Sequence, residues 1–205
     1  TIEQQIKNGC DMVEAIEDAH VAILQGVKSG RGKHGMGTTV VAVQMNGDDY
    51  TLAWVGDSRA YLWDDGLIQI TKDHSMVQML IDTGQITQQE ARLHPRKNII
   101  YQNLGAPEVK LPEVSLKQGT LYKEQKIILC SDGLSDEVED QQIEKIVAST
   151  GNDAKAVEKL VTAAIDNGGN DNVSVIIVSA SVNASRKPLL EETQKENSRD
   201  TLIPD

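Results

Sequence analysis

Apolar residues return at three- and four-residue steps through the first part of the chain, at Ile2, Ile6, Val13, Ile16, Ile23, Leu24 and Val27, with His20 on the same stripe. That is the period of an amphipathic helix, so the chain is expected to open on one. No capping sequence stands before Thr1, where a helix start would normally carry one. From Thr38 the pattern shortens to β-branched and aromatic runs, which predict strands over 38–45, 50–55, 59–63 and 67–70. The links at 46–49, 56–57 and 64–66 are built from Gly, Asp and Asn and suit tight hairpins, so the four strands read as an antiparallel meander.

Strand texture then stops. A helical run over 76–82 ends at Gly84, and Thr87 with Glu90 has the spacing of a capping box that would open a second short helix. His94-Pro95 and Ala106-Pro107 make the rest of 76–116 an irregular excursion, longer than ordinary connections and for that reason expected to border a functional site. A strand at 126–130, helices at 140–149 and 153–166 and a last strand at 172–180 follow. Runs of strands with helices gathered at the ends predict layered antiparallel sheets in an α+β fold. Residues 183–205 are polar without an apolar period and are expected to form a disordered tail, leaving one domain over 1–182.

Charge changes the picture by exclusion. A formal net charge of -11 repels phosphodiester backbones and anionic lipid headgroups, so neither nucleic acid nor a membrane is expected as a partner. No run of about eighteen apolar residues exists, and the first residues do not form a signal peptide. Cys10 and Cys130 both stand in apolar surroundings and read as buried free thiols, which suits the cytoplasm.

Three stretches carry candidate chemistry: Val55-Gly56-Asp57-Ser58, Cys130-Ser131-Asp132-Gly133 and Gly169-Asn170-Asp171-Asn172. Each reads as an apolar strand ending in an aspartate flanked by small polar residues. Carboxylates fixed at strand ends can converge on one point and offer the oxygen ligands that hard divalent cations take. Any one of them could instead be a turn former, since Asp-Gly and Asn-Asp are common turn pairs. Neither cysteine lies in a basic phosphate-cradling loop of the kind a thiolate phosphatase uses. Gly30-Arg31-Gly32-Lys33 lacks the spacing and the preceding strand of a phosphate loop.

Taken in order, Gly35-Met36-Gly37-Thr38-Thr39, VGDSRAYL from Val55, Thr71-Lys72-Asp73-His74-Ser75, LCSDGL from Leu129 and DNVSVIIV from Asp171 resemble the successive motifs of the type 2C metal-dependent protein phosphatases. The segment between Gly84 and Leu104 is similar to the flap of bacterial members. The resemblance implies a four-layer αββα sandwich with a binuclear Mn²⁺ or Mg²⁺ centre at one edge of the sheets. By position, Asp132 and Asp171 match ligands of the second metal, and Asp57 matches the aspartate that shares a third, weaker metal with Asp132. Ser131, Gly133 and Asn172 would shape the site, Gly133 by allowing a sharp turn and Asn172 by tethering its loop.

The activity implied is hydrolysis of phosphoserine and phosphothreonine in proteins, a signalling role opposing a Ser/Thr kinase. No side-chain nucleophile is identified, because the attacking group would be a cation-activated water. The alternative is a non-catalytic metal-binding or regulatory module on the same fold. Family members begin with strands bearing a phosphate-contacting Arg and a bridging Asp, and nothing before Thr1 supplies them. The chain is therefore expected to be a segment of a longer protein and inactive alone. His74 is assigned a structural or substrate-edge role, Arg59 a local salt bridge, and His20 a place on the core side of the first helix.

Overall fold

Alternation along the strands sorts their side chains into separate cores, and that sorting builds the layers. The computed structural model describes residues 2–181, 184 and 185. Its elements run α1 (Ile2–Lys7), α2 (Met12–Lys28), β1 (Val40–Asn46), β2 (Asp49–Val55), β3 (Arg59–Trp63), β4 (Leu67–Gln69), α3 (Met76–Asp82) and α4 (Gln88–Leu93). The chain continues through β5 (Ser115–Thr120), β6 (Lys126–Cys130), α5 (Asp132–Ser135), α6 (Asp140–Ser149), α7 (Asp153–Asp166) and β7 (Val175–Ser179). One antiparallel sheet has the order β1-β2-β5, the other β4-β3-β6-β7.

Tyr50, Leu52 and Trp54 of β2 meet Ile127 and Leu129 of β6 between the sheets. The intervening residues Ala53 and Val55 point the other way, onto Met12 and Ile16 of α2. Ile128 and Cys130 likewise face outward onto Leu134, Ile143, Val147 and Leu160 of α5, α6 and α7. Ile127 and Ile128, adjacent in sequence and both fully buried, thus serve two different cores. Helices, sheet, sheet and helices stack in four layers, the αββα sandwich.

Several elements differ from the sequence expectation. The opening helix is two helices, because Gly9 takes φ 92° and the Asp11 side chain accepts from the Glu14 N–H at 2.9 Å, capping α2 afresh. The meander is broken between β2 and β3. Those strands lie in different sheets, so the Gly56-Asp57 link is a corner rather than a hairpin. Gly56 sits at φ 110°, and a Cβ there would stand 2.3 Å from the Thr39 methyl, so the corner requires glycine. β5 was missed because its sequence, SLKQGT, is polar and half exposed. α5 stands where a sharp turn is expected at Gly133.

The capping box at Thr87 is present in full, and Ser75 caps α3 by accepting from the Gln78 N–H at 3.2 Å. Cys130 is buried as expected, whereas Cys10 is only partly covered. Most of 183–205 lies outside the described residues. Ala184 and Ser185 are described: Ala184 is buried and the Ser185 carbonyl accepts from the Lys123 N–H at 2.9 Å. No helix among the described residues is long and apolar enough to cross a membrane.

Candidate metal centre

Antiparallel register brings the three aspartates to one sheet edge. Arg59 of β3 pairs with Cys130 of β6, and Cys130 pairs with Val175 of β7. Asp57 lies two residues before Arg59, Asp132 two after Cys130 and Asp171 four before Val175, so all three emerge at the same end of β4-β3-β6-β7. Asp57 follows β2 and Asp132 follows β6, but Asp171 precedes its strand, in the loop after α7. The sequence expectation of a strand ending at Asp171 is corrected accordingly.

The loops carrying Asp132 and Asp171 are fastened together. Ser131 Oγ donates to the Asn172 carbonyl at 3.1 Å and accepts from the Ser174 N–H at 3.0 Å. Gly133 lies so close that a Cβ would meet the Asn172 carbonyl oxygen at 2.3 Å. Asn172 therefore ties its loop through backbone, not through its side chain. Asp132 Oδ1 accepts from the Gly133 N–H at 2.9 Å and Asp171 Oδ1 from the Asn172 N–H at 2.7 Å. These bonds leave oxygen lone pairs on both carboxylates.

Beside the edge is a cleft of about 280 Å³ whose lining includes Asp57, Asp132 and Asp136 on one side and Gln88, Lys97 and Asn98 of the excursion on the other. Asp171 is not part of that lining. Lys97 Nζ spans the mouth to Asp136 Oδ2 at 2.8 Å. Arg59 is committed elsewhere: its Nε and Nη2 bind Asp73 at 3.1, 3.0 and 2.7 Å. The local salt bridge expected for Arg59 is found, with a partner from the Asp73-His74 motif. Sequence reasoning placed Asp73 in a motif without giving it a role and missed Lys97 and Asp136, of which only Asp136 carried a signal, four residues past Asp132 and hence one helical turn on.

No ion pair among the described residues involves Asp57, Asp132 or Asp171. Burial, and then the charge of Asp132, pushes the Asp57 carboxyl up to about 6. Burial, and then Asp171, raises Asp132 as well. Carboxylates in this condition are destabilised by their own charge, a condition a cation relieves. All-oxygen donors of this kind fit Mg²⁺ or Mn²⁺. Among the described residues no three acidic, His or Cys side chains converge tightly enough to enclose an ion by themselves, so these carboxylates would make up part of a coordination shell.

The raised Asp57 gives a prediction with a definite sign. Its folded pKa of about 6 exceeds the unfolded 3.8, so the stability it contributes is full below 3.8 and is lost as pH rises through 6. Asp57→Asn should therefore raise the melting temperature of metal-free protein at pH 7.5, by about 2–4 °C for a gain of about 1 kcal/mol once solvent screening is allowed for. The two proteins should converge as pH falls toward 4. Thermal melts in EDTA across that range check this, and a variant less stable at pH 7.5 refutes the repulsion.

The protein phosphatase 2C family model matches residues 2–79 and 101–173. The chain belongs to the protein phosphatase 2C family. It is 38% identical over 164 residues to serine/threonine protein phosphatase PstP of Mycobacterium tuberculosis, covering 80% of this chain and 31% of that protein. It is 37% identical over 166 residues to serine/threonine phosphatase stp of Listeria innocua, covering 80% of this chain and 65% of that protein. Less than two thirds of either relative is thus spanned. Among solved structures, the catalytic domain of PstP in complex with 2 manganese ions superimposes with a TM-score of 0.68 at 35% identity, over 82% of this chain and 70% of that one. The phosphatase 2C assignment agrees with the sandwich and with the motif order read from the sequence.

Proposed function

We propose that the protein carrying this chain is a metal-dependent protein phosphatase that hydrolyses phosphoserine and phosphothreonine, with Asp57, Asp132 and Asp171 among the ligands of its Mn²⁺ or Mg²⁺ ions. The observation that carries this is the placement, at the same end of one sheet, of three aspartates with no ion-pair partner among the described residues, two of them held above the usual carboxylate range. Bound divalent cations would supply Lewis-acid charge, making water a competent nucleophile and neutralising the phosphoryl oxygens.

The chain's own residues divide the remaining work. Asp132 and Asp171 hold charge on two loops locked by Ser131 and Gly133, so their spacing is set before any ligand arrives. Asp57 must lose its proton to bind, so its share of cation affinity should rise as pH passes about 6. A side-chain thiol nucleophile is disfavoured: burial pushes Cys130 up to about 12, and a hydrogen bond with Glu14 pushes Cys10 up to about 11. Substrates would be products of a Ser/Thr kinase, met in the cytoplasm, where two free thiols are at home.

The test is phosphate release from a phosphothreonine peptide by the full-length protein over a Mn²⁺ titration. Activity should be absent in EDTA and saturate with metal, and Asp57→Asn should lower turnover while leaving tight Mn²⁺ binding measurable by calorimetry. Equal hydrolysis with and without metal would overturn the reading.

A further inference from the structure

His74 belongs to none of the carboxylate loops, yet it joins the Asp57 corner to both ends of the excursion. The residue is 8% exposed. Its Nδ1 accepts from the Gly56 N–H at 3.2 Å, and its Nε2 lies 3.0 Å from Ser115 Oγ. A backbone N–H can only donate, so Nδ1 is the bare nitrogen, and a neutral ring then carries its proton on Nε2 and gives it to Ser115. Burial keeps the ring below its ordinary pKa, against opposing pulls from Glu113 and Asp73, in keeping with the neutral form.

The backbone repeats the connection. The His74 N–H donates to the Gly56 carbonyl at 2.9 Å, and the His74 carbonyl accepts from the Tyr101 N–H at 2.9 Å. The ring lies between Trp54, with centroids 6.4 Å apart, and Tyr101, at 5.8 Å. The next residue, Ser75, caps α3 and bridges Ile100. One side chain therefore touches the corner that precedes Asp57, while its neighbours and stacking partners hold the start (Ser75) and the return (Tyr101, Ser115) of the excursion.

We propose that His74 is a positioning residue whose Nδ1 holds the Gly56-Asp57 corner in register with residues 75–115, so that the placement of Asp57 depends on the excursion being seated. The proposal rests on the metal-ligand reading of Asp57. Thr39 also packs closely on Gly56, so the Nδ1 acceptor is one of few restraints on the corner, and losing it leaves the corner to Thr39 and the backbone bond from the His74 N–H to the Gly56 carbonyl. Anything that lifts the excursion pulls on the same corner through Tyr101 and Ser115. His74 does not reach the reacting atoms and takes no proton from them.

Three substitutions in the full-length protein separate the two ring nitrogens. In His74→Asn the amide oxygen can stand where Nδ1 stands and still accept from Gly56. In His74→Gln the longer amide reaches toward Ser115 and abandons Gly56, and His74→Phe loses both bonds while keeping a ring. Amide hydrogen exchange at Gly56 in metal-free protein should accelerate at least about tenfold in the Gln and Phe variants and stay near the parent rate in the Asn variant. Affinity at the weaker Mn²⁺ site, the one Asp57 would share, should follow the same order by calorimetry, falling about tenfold in the first two while tight Mn²⁺ binding persists in all three, as for loss of a group that orients a ligand. Nitrogen-15 shifts of the parent should show the proton on Nε2.

A merely structural role would scale all three variants with their melting temperatures. Equal damage by Asn and Phe, a proton on Nδ1, or unchanged exchange at Gly56 would overturn the proposal. If Phe does not fold, the Asn and Gln pair still decides the matter. Failure of the phosphatase reading would show separately, as a parent protein that binds no Mn²⁺, with the exchange and the nitrogen shifts still testing the His74 link.

Discussion

Asp132→Asn is expected to reduce Mn²⁺-dependent phosphopeptide hydrolysis by the full-length protein at least roughly 100-fold, the upper end of what losing an outer-shell partner costs a metal site. The substitution removes charge and keeps shape. Its amide oxygen can still accept from the Gly133 N–H, so the fastened loops of Ser131 and Asn172 should stay in place. Stability should move the opposite way. Asp132 is raised first by its burial and then by Asp171, and it is in turn the leading charge acting on Asp57 after burial. A neutral residue at 132 relieves both repulsions, so metal-free Asp132→Asn should melt above the parent protein at neutral pH, and added Mn²⁺ should raise its melting temperature less than the parent's. Loss of activity with gain of metal-free stability is the signature of a ligand site. Loss of both would mean that Asp132 is structural, and retained activity would remove it from the metal centre.

Arg59→Met should cost about 3–5 kcal/mol of stability, the usual penalty for breaking one side of a buried pair. Asp73, its bidentate partner, has a side chain only 7% exposed. Burial works against the Arg59 charge, yet Asp73 and then Tyr61 more than offset it, and the guanidinium is held above its ordinary value. Gln69 Nε2 donates to Asp73 Oδ1 at 3.0 Å, and Tyr61 passes the network on to Asp140 at 3.1 Å. With methionine at 59 the Asp73 charge would be left with one neutral donor. A fall of roughly 6–20 °C in melting temperature is the corresponding shift for a chain of this size. Arg59→Met with Asp73→Leu should recover most of it, since an apolar pair of similar volume replaces the ions without an orphan. A single variant within 1 kcal/mol of the parent, by denaturant titration, would show that water reaches Asp73 and that the pair is peripheral.

Local pattern was enough wherever the determinant was local. The sequence runs placed β3, β6, α6 and α7 to the residue, and Thr87 with Glu90 announced a capping box that the structure contains. Burial on alternate faces leaves a periodic record, and a cap is written in side chains three residues apart. The five ordered motifs also pointed to the family whose model matches residues 2–79 and 101–173.

What the pattern could not hold was pairing at a distance. Gly56-Asp57 reads like any hairpin turn, and only contacts from distant residues, Thr39 and His74, mark it as the corner where the chain changes sheets. β5 is polar on its exposed face, so hydrogen bonds to β2, not its own periodicity, make it a strand. Arg59 and Asp73 are fourteen residues apart and Lys97 and Asp136 thirty-nine, separations that no local signal spans. The three aspartates were each legible as candidates by their flanking residues. Their placement at one edge was decided by the antiparallel pairing of β3, β6 and β7, which sets the starts of β3 and β7 beside the end of β6.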